Sequence, residues 1–468
     1  MTHASPSNYR RTALIVACAL FMQNLDATVL ATALPTMTQE FAVSPSGISL
    51  ALTGYLLALA IFVPASGPVA DRFGARRTFQ CAIVVFLLGS IACGLSQGIT
   101  MLVASRFVQG MGGAMMLPVG RLVLLRSVAK HEMVTAMAWL TMPAMIGPIV
   151  GPTVGGAIVT WLDWRWIFWI NLPIGSLGVF LVGRYIRDSH VAVSCRFDFA
   201  GFFLCAMTLG PLIFGLELVG RSRQWIMVGA LLATGCSCAL LYIRHARRMT
   251  DPMLDLNLLH IPTFRLSMLG GGLIRLTQGA MPFLIPMLLQ LSFGFDASTS
   301  GIISSAMAIG ALVMKGAARS LLRRFGFRAT LTVVGLLIPM GYACVGLTDQ
   351  QWPIPAIYLL LMICGFLSSL QFTAYNAIAY ADVNSAQMSR ATSFYATVQQ
   401  LSLSLGICVG ASALSLTMRV SNHLEPTSRD FAAAIWSVTA ISLLAVFANR
   451  ALAPDAGIDL SGHSAARK

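Results

Sequence analysis

Charge is scarce in this chain. Asp, Glu, Lys and Arg make up 10% of it, against roughly 25% in a soluble globular domain. With 57% hydrophobic residues, that shortage excludes an ordinary water-soluble fold. The apolar residues come in continuous runs rather than in alternation, which excludes a membrane β-barrel. There is no GxxxxGKS/T phosphate loop and no loop long enough for a nucleotide-binding domain, so ATP does not drive the chain. The ten cysteines have no disulfide-framework spacing: Cys195 lies in a loop, the rest in apolar runs. Cys236 and Cys238, two apart on one helix, point to different faces and make a poor metal pair. All seven histidines fall in loops or tails. No nucleophile, metal cluster or carboxylate pair sits at membrane depth, which argues against an enzyme. No cofactor or metal is expected.

What the sequence does hold is apolar runs of about twenty residues, enough for a helix to cross roughly 30 Å of hydrocarbon. Fourteen are legible, at 12–36, 48–70, 78–97, 101–125, 134–160, 167–185, 198–219, 225–243, 264–291, 298–318, 329–348, 355–379, 392–418 and 431–450. The fold class is therefore all-α and polytopic. The first run has neither a long basic region before it nor a small-residue cleavage site after it, so it reads as a retained span. The net charge of +14 would suggest nucleic acid in a soluble protein. With a cytoplasmic N-terminus, however, 22 of the 31 Lys and Arg fall in inner loops and tails and five in outer loops. The other four (Arg106, Arg121, Arg275 and Lys315) lie within spans. This positive-inside bias orients the chain with both termini cytoplasmic, and nucleic acid is not an expected partner.

Two turns echo one another: DRFGAR at 71–76, after the second run, and RRFGFR at 323–328, after the tenth. The echo predicts two six-span halves, 1–190 and 263–468, separated by two inserted spans and a linker at 191–262. The longest inner loop, RHARRMTDPMLDLNLLHIPTF at 244–264, is amphipathic and is expected to lie along the inner interface.

Several motifs carry a family resemblance: LDATVLATALP (25–35), GPVADRFGARRTF (67–79), RFVQGMGGAMMLP (106–118), GPIVGPTVGG (147–156) and WRWIFWINLPIG (164–175). FDFAG (197–201) and PMLDLNLL (252–259) flank the inserted pair. Together these resemble the major facilitator superfamily, and within it the fourteen-span drug:proton antiporters. RLVLLR (121–126), MPFLIPMLLQLSFGF (281–295) and QQLSLSLG (399–406) look most like the MdtD branch, whose members are named for multidrug export. The resemblance implies a monomeric transporter of the inner cell membrane that exchanges a small organic molecule for protons. It implies a conformational latch at Gly67, Asp71, Arg72, Gly74, Arg76 and Arg77. The echo has Arg323 where the first copy has Asp71, so the two turns are not chemically equivalent. It also implies an antiporter pivot at Gly147, Pro148, Gly151, Pro152, Gly155 and Gly156. Glycines four apart share a face and let helices approach closely, so simple close packing explains the pivot residues equally well. Arg165, Asn171 and Pro173 match the family pattern and are assigned to structure, and the tryptophans of 161–169 to an interfacial belt.

Asp26 is the only acid well inside a run; Glu217 is near an outer end. An ionisable group at that depth costs roughly 2.5–3.5 kcal/mol to insert and faces a cavity and a partner. Asp26 is expected to bind the coupling proton, with Arg106 as its partner; a permanent salt bridge between spans one and four is the plainer alternative. Gln23, Asn24, Gln109, Arg121, Arg275, Gln278, Gln371, Asn376 and Gln399 are expected to line the substrate cavity. Arg275 belongs to a stripe with Ser267, Gly271, Gln278 and Pro282 that must avoid lipid. Three arginines against one aspartate favour anions, such as an organic acid or its metal complex. The drug-exporter resemblance and an adaptable apolar lining of Phe and Met favour drugs. A non-transporting sensor on the same fold is the reading from another class.

Overall fold

A computed structural model describes residues 6–126, 133–186, 198–219, 225–249, 252, 254–384, 387–423, 425–454 and 456–457. All regular structure among them is helical. The first group comprises α1 (Pro6–Glu40), α2 (Pro45–Phe62), α3 (Ser66–Phe73), α4 (Ala75–Gly94), α5 (Ile99–Arg126), α6 (Met133–Trp161), α7 (Trp166–Trp169) and α8 (Asn171–Tyr185). An inserted hairpin follows, α9 (Phe199–Val219) and α10 (Trp225–Ala246). The last group is α11 (Pro262–Met287), α12 (Ala297–Gly346), α13 (Ile354–Ile378), α14 (Met388–Val420), α15 (Ser428–Leu443) and α16 (Ala445–Arg450). Among the described residues, twelve segments are long and apolar enough to cross a membrane. Gly47–Phe62 and Ile146–Trp161 are shorter apolar helices. The chain is a multi-pass membrane protein.

The two groups repeat one packing scheme. In the first, α1 packs on α6, α4 on α5, and α4 on α8; in the last, α11 packs on α14, α12 on α13, and α12 on α15. The echoed turns share a backbone as well. Gly74 (φ 88°, ψ 138°) separates α3 from α4, and Gly326 (φ 72°, ψ 171°) breaks α12 into two apolar segments. A side chain is strained at such φ values, and glycine is not.

The groups meet along two seams, α6 with α12 and α2 with α14. The α9–α10 hairpin covers the second, since α9 touches both α2 and α14. At the end where α1 finishes, one apolar core runs through both groups, joining Leu30, Leu34 and Met37 of α1 to Leu284 and Met287 of α11. At the opposite end each group keeps a core of its own, one holding Val16, Phe79 and Val123, the other Leu322, Phe327 and Leu331, while a third core joins Ile61 of α2 to Phe264 of α11 and Phe394 of α14 beside the inserted hairpin. The molecule is thus sealed where α1 ends and, away from the α2–α14 seam, divided where α1 begins.

Two loops show how their side chains divide between protein and surface. The linker after α10 packs one side into protein, where Leu258 is fully buried and the Leu254 N–H donates to the Tyr242 hydroxyl at 2.8 Å, and leaves Arg247, Arg248, Asn257 and His260 exposed. In the aromatic stretch 161–169, Trp161 and Trp166 are exposed as a belt requires, but Trp164 is buried and donates its indole N–H to Glu40.

Candidate functional site

The sequence fixes how closely the helices around Asp26 approach. Gly151 of α6 faces Thr28 of α1; an added Cβ would lie 2.0 Å from the Thr28 hydroxyl oxygen. Gly147 and Gly155 rest on the same helix one turn away on either side. Across the site, Gly112 of α5 sits against the Phe86 backbone of α4, where a Cβ would have only 2.4 Å. These contacts bring side chains from α1, α4, α5 and α8 to one point.

At that point Asp26 is saturated with donors. Arg106 Nη1 lies 2.6 Å from Oδ2; Gln109 Nε2 and Asn171 Nδ2 lie 2.8 and 2.7 Å from Oδ1. The same two amides donate to Ser90 Oγ at 2.8 and 3.2 Å, and Gln109 Oε1 accepts from Arg106 Nη1 at 2.6 Å. The Arg106 guanidinium lies over the Tyr55 ring, 4.3 Å from its centroid. All five polar residues are at most 1% exposed. Breaking a buried pair of this kind by removing one partner typically costs about 3–5 kcal/mol. Asn171, assigned to structure from its sequence context, is part of this site. So is Ser90, which no sequence signal marked.

Arg106 also borders a cavity of about 350 Å³ between the two groups. Thr28, Tyr55, Pro148 and Pro152 form one wall, and Gln278, Pro282, Ser304 and Leu403 the other. Its Nε and Nη2 are buried without a protein hydrogen-bond partner. One residue therefore holds the carboxylate with a single guanidinium nitrogen and also contributes to the cavity lining.

Of the residues expected to line the cavity, Gln278 does. The others are not among the residues that line this cavity. Gln109 is consumed by Asp26 and Ser90. Gln23 turns to the Gly113 carbonyl at 3.1 Å. Asn24 lies beside the Gly147 contact, its Cβ 3.1 Å from where a side chain there would begin. Arg121 is exposed at the divided end. Gln371 is fully buried, and neither of its amide atoms has a partner in the protein. Asn376 turns back on its own helix, to Phe372 O at 2.8 Å. Gln399 faces Arg275 at 3.4 Å.

Arg275 is 3% exposed and donates to the Tyr395 hydroxyl at 3.0 Å. Its guanidinium lies 4.8 and 5.4 Å from the ring centroids of Tyr395 and Phe372. No carboxylate among the described residues pairs with it. Aromatic faces stabilise this cation where Asp26 stabilises Arg106.

The expected pivot residues divide between two contacts. Gly147, Gly151 and Gly155 face α1, whereas Gly156 faces the start of α12, where a Cβ would lie 2.3 Å from the Ala297 carbonyl oxygen. Pro148 and Pro152 face the cavity. Gly301 of α12 returns the close approach, its Cβ position 2.1 Å from Pro152 O. At the expected latch, Arg76 donates to the Gly183 carbonyl of α8, and Arg72 lies over the Phe73 ring. Gly67 has open space around it. The side chains of Asp71 and Glu217 lie outside the described residues.

Comparison with known proteins agrees with this architecture. Residues 16–407 match the model of the Major Facilitator Superfamily. The "Putative multidrug resistance protein MdtD" of Salmonella typhimurium is 36% identical over 418 residues, covering 88% of this chain and 87% of that protein; its counterpart in Salmonella heidelberg is equally similar. Among solved structures, a bacterial homologue of the human lysosomal transporter Spinster, inward-facing and occupied, superposes with TM-score 0.69 at 13% identity. It covers 95% of this chain and 97% of that one. A D-xylose–proton symporter gives 0.66 at 14% identity, covering 93% and 96%. At such identities these two show the fold alone. The matched family model, spanning most of the chain, and the MdtD relatives show that the chain belongs to the Major Facilitator Superfamily and is a transporter rather than an enzyme.

Proposed function

We propose that the protein is a proton-coupled antiporter that exports small organic molecules or drugs across the cytoplasmic membrane by alternating access. The observation that carries this reading is the double position of Arg106, bonded to Asp26 and bordering the cavity. A proton binding Asp26 at Oδ2 competes with Arg106 Nη1 for the same lone pairs. Protonation then weakens the ion pair and leaves the guanidinium to the cavity, and loss of the proton draws it back. A ligand in the cavity and a proton on Asp26 thereby act on one side chain from opposite sides. The multidrug name of the MdtD relatives supports drugs as cargo.

In this reading the two shorter apolar helices also cross the bilayer. They make fourteen spans: six in 1–190, two in 191–262 and six in 263–468, with both termini cytoplasmic. The sealed end is then periplasmic and the divided end cytoplasmic. The latch residues close the divided end in the opposite state, α6 is the pivot, and the working unit is a monomer. Everted membrane vesicles test the reading. A pH gradient drives uptake of fluorescent dyes by the wild type, and Asp26→Asn loses it while remaining folded. Gradient-driven uptake retained by Asp26→Asn overturns it and leaves Asp26–Arg106 as a permanent structural salt bridge. No dye or metabolite response in the wild type favours a sensor.

Export of organic anions is the second reading, supported by Arg275, a buried cation with aromatic faces in place of a counter-carboxylate. Metabolite profiles of cells carrying wild type or Arg275→Ala separate the two: selective loss of anion efflux favours anions, and unchanged dye export favours drugs.

A further inference from the structure

Beside the α3–α4 turn, which carries the expected latch, lies a groove of about 420 Å³ that is separate from the Asp26 cluster and from the cavity at Arg106. Val85 of α4 and Met111 and Met115 of α5 form its walls, the exposed Cys81 lies along it, and the exposed Arg72 and Arg77 stand at its mouth. The groove continues an outward apolar surface. Cys81, Val84 and Leu88 share one face of α4, and Met101, Val108, Met111 and Met115 share one face of α5; Val84, Leu88, Met101 and Val108 are exposed. Such a surface on a membrane protein meets lipid tails. At the groove it ends, beside the basic turn, where tails give way to headgroups.

We infer that this groove binds an anionic phospholipid, with an acyl chain between α4 and α5 and the phosphate at Arg72 and Arg77. Charge complementarity chooses the occupant. Two guanidinium groups stand at the mouth, and a chain of methylenes fits walls made of thioether and branched alkyl groups. Arg76, the intervening basic residue, donates to the Gly183 carbonyl and ties α4 to α8. Arginine presents a planar fork suited to phosphate oxygens.

The test is native mass spectrometry of the full chain supplied with equal phosphatidylglycerol and phosphatidylcholine. Each arginine near an anionic headgroup is worth about fivefold in binding, so the pair predicts a preference of roughly 30-fold for phosphatidylglycerol. The double variant Arg72→Gln/Arg77→Gln loses the preference. Val85→Trp, which fills the groove with both arginines in place, loses it too. Equal retention of the two lipids by the wild type, or an unchanged preference in either variant, overturns the proposal. A variant with Cys81 as its only cysteine gives a readout that does not depend on folding of the arginine variant. A lipophilic maleimide labels it more slowly in phosphatidylglycerol vesicles than in phosphatidylcholine vesicles, and equal rates overturn the proposal.

Discussion

Gly156→Ala isolates the seal between the two groups. The new Cβ would lie 2.3 Å from Ala297 O and 2.9 Å from the Ser298 Cα, where ordinary contact begins at 3.4 Å. The obstacle is backbone at the start of α12, which Asp296 caps, and no rotamer change relieves it. Helices α6 and α12 must therefore separate by about 1 Å, an overpacking that costs about 1–3 kcal/mol. Under the proposed alternating access that cost falls on the sealed state alone, because opening this end parts the two helices. The equilibrium should move toward opening by roughly 5- to 150-fold. Gly147→Ala is the control: its Cβ meets α1 within its own group, 2.9 Å from Leu25 N. If that group moves as a body, the clash is present in both states and lowers stability without shifting their ratio. The assay is electron–electron double resonance between spin labels at Leu162 and Leu347, both exposed, with the native cysteines replaced. A longer-distance population should grow in Gly156→Ala and not in Gly147→Ala. Unchanged distances in folded Gly156→Ala, or an equal shift in Gly147→Ala, would refute the reasoning.

Asn171→Ala removes one donor from a buried carboxylate, a loss of about 1.5–3 kcal/mol. It should lower the melting temperature and impair pH-driven dye uptake, and Asn171→Gln should restore part of both; wild-type behaviour of the alanine variant would exclude Asn171 from the site. Gly74→Ala places a side chain at φ 88° and should destabilise by about 1–3 kcal/mol, read as a lower melting temperature. Asp296 caps α12, and hydrogen bonds from the Thr299 hydroxyl, then from the Thr299 and Ser298 amides, outweigh burial and hold its carboxyl below the usual range. Its contribution is complete above the unfolded value, about pH 4, and is lost as pH falls through the lower folded value. Melting temperatures of wild type and Asp296→Asn should therefore differ at pH 6 and converge toward pH 3.

Much of the buried Asp26–Arg106 cluster was legible because charge is so rare in this sequence. Asp26 stood out as the one acid well inside an apolar run, and Arg106 as a cation in span four that could serve as its partner. Asn171 did not stand out. A lone amide among WRWIFWINLPIG fits a helix start as well as a buried contact, and only the approach of α8 to α1 and α4 decides between them. Trp164 shows the same limit. Its type suits an interfacial belt or a core, and the indole bond to Glu40, more than a hundred residues away, is a tertiary fact. Periodicity placed Arg275 and Gln278 on one protected stripe, but one turn of helix puts Gln278 on the cavity wall and Arg275 against Tyr395. The echoed turns share positive-φ glycines, Gly74 and Gly326, because glycine at positive φ is a local requirement that sequence expresses directly.

The central claim is that Asp26 takes up and releases a proton at a site bordered by Arg106. Infrared difference spectroscopy of the reconstituted protein, stepped in pH, reads it without a substrate. The account predicts a protonated-carboxyl band that grows on acidification in the wild type and is missing from Asp26→Asn. Identical difference spectra for the two proteins would contradict it.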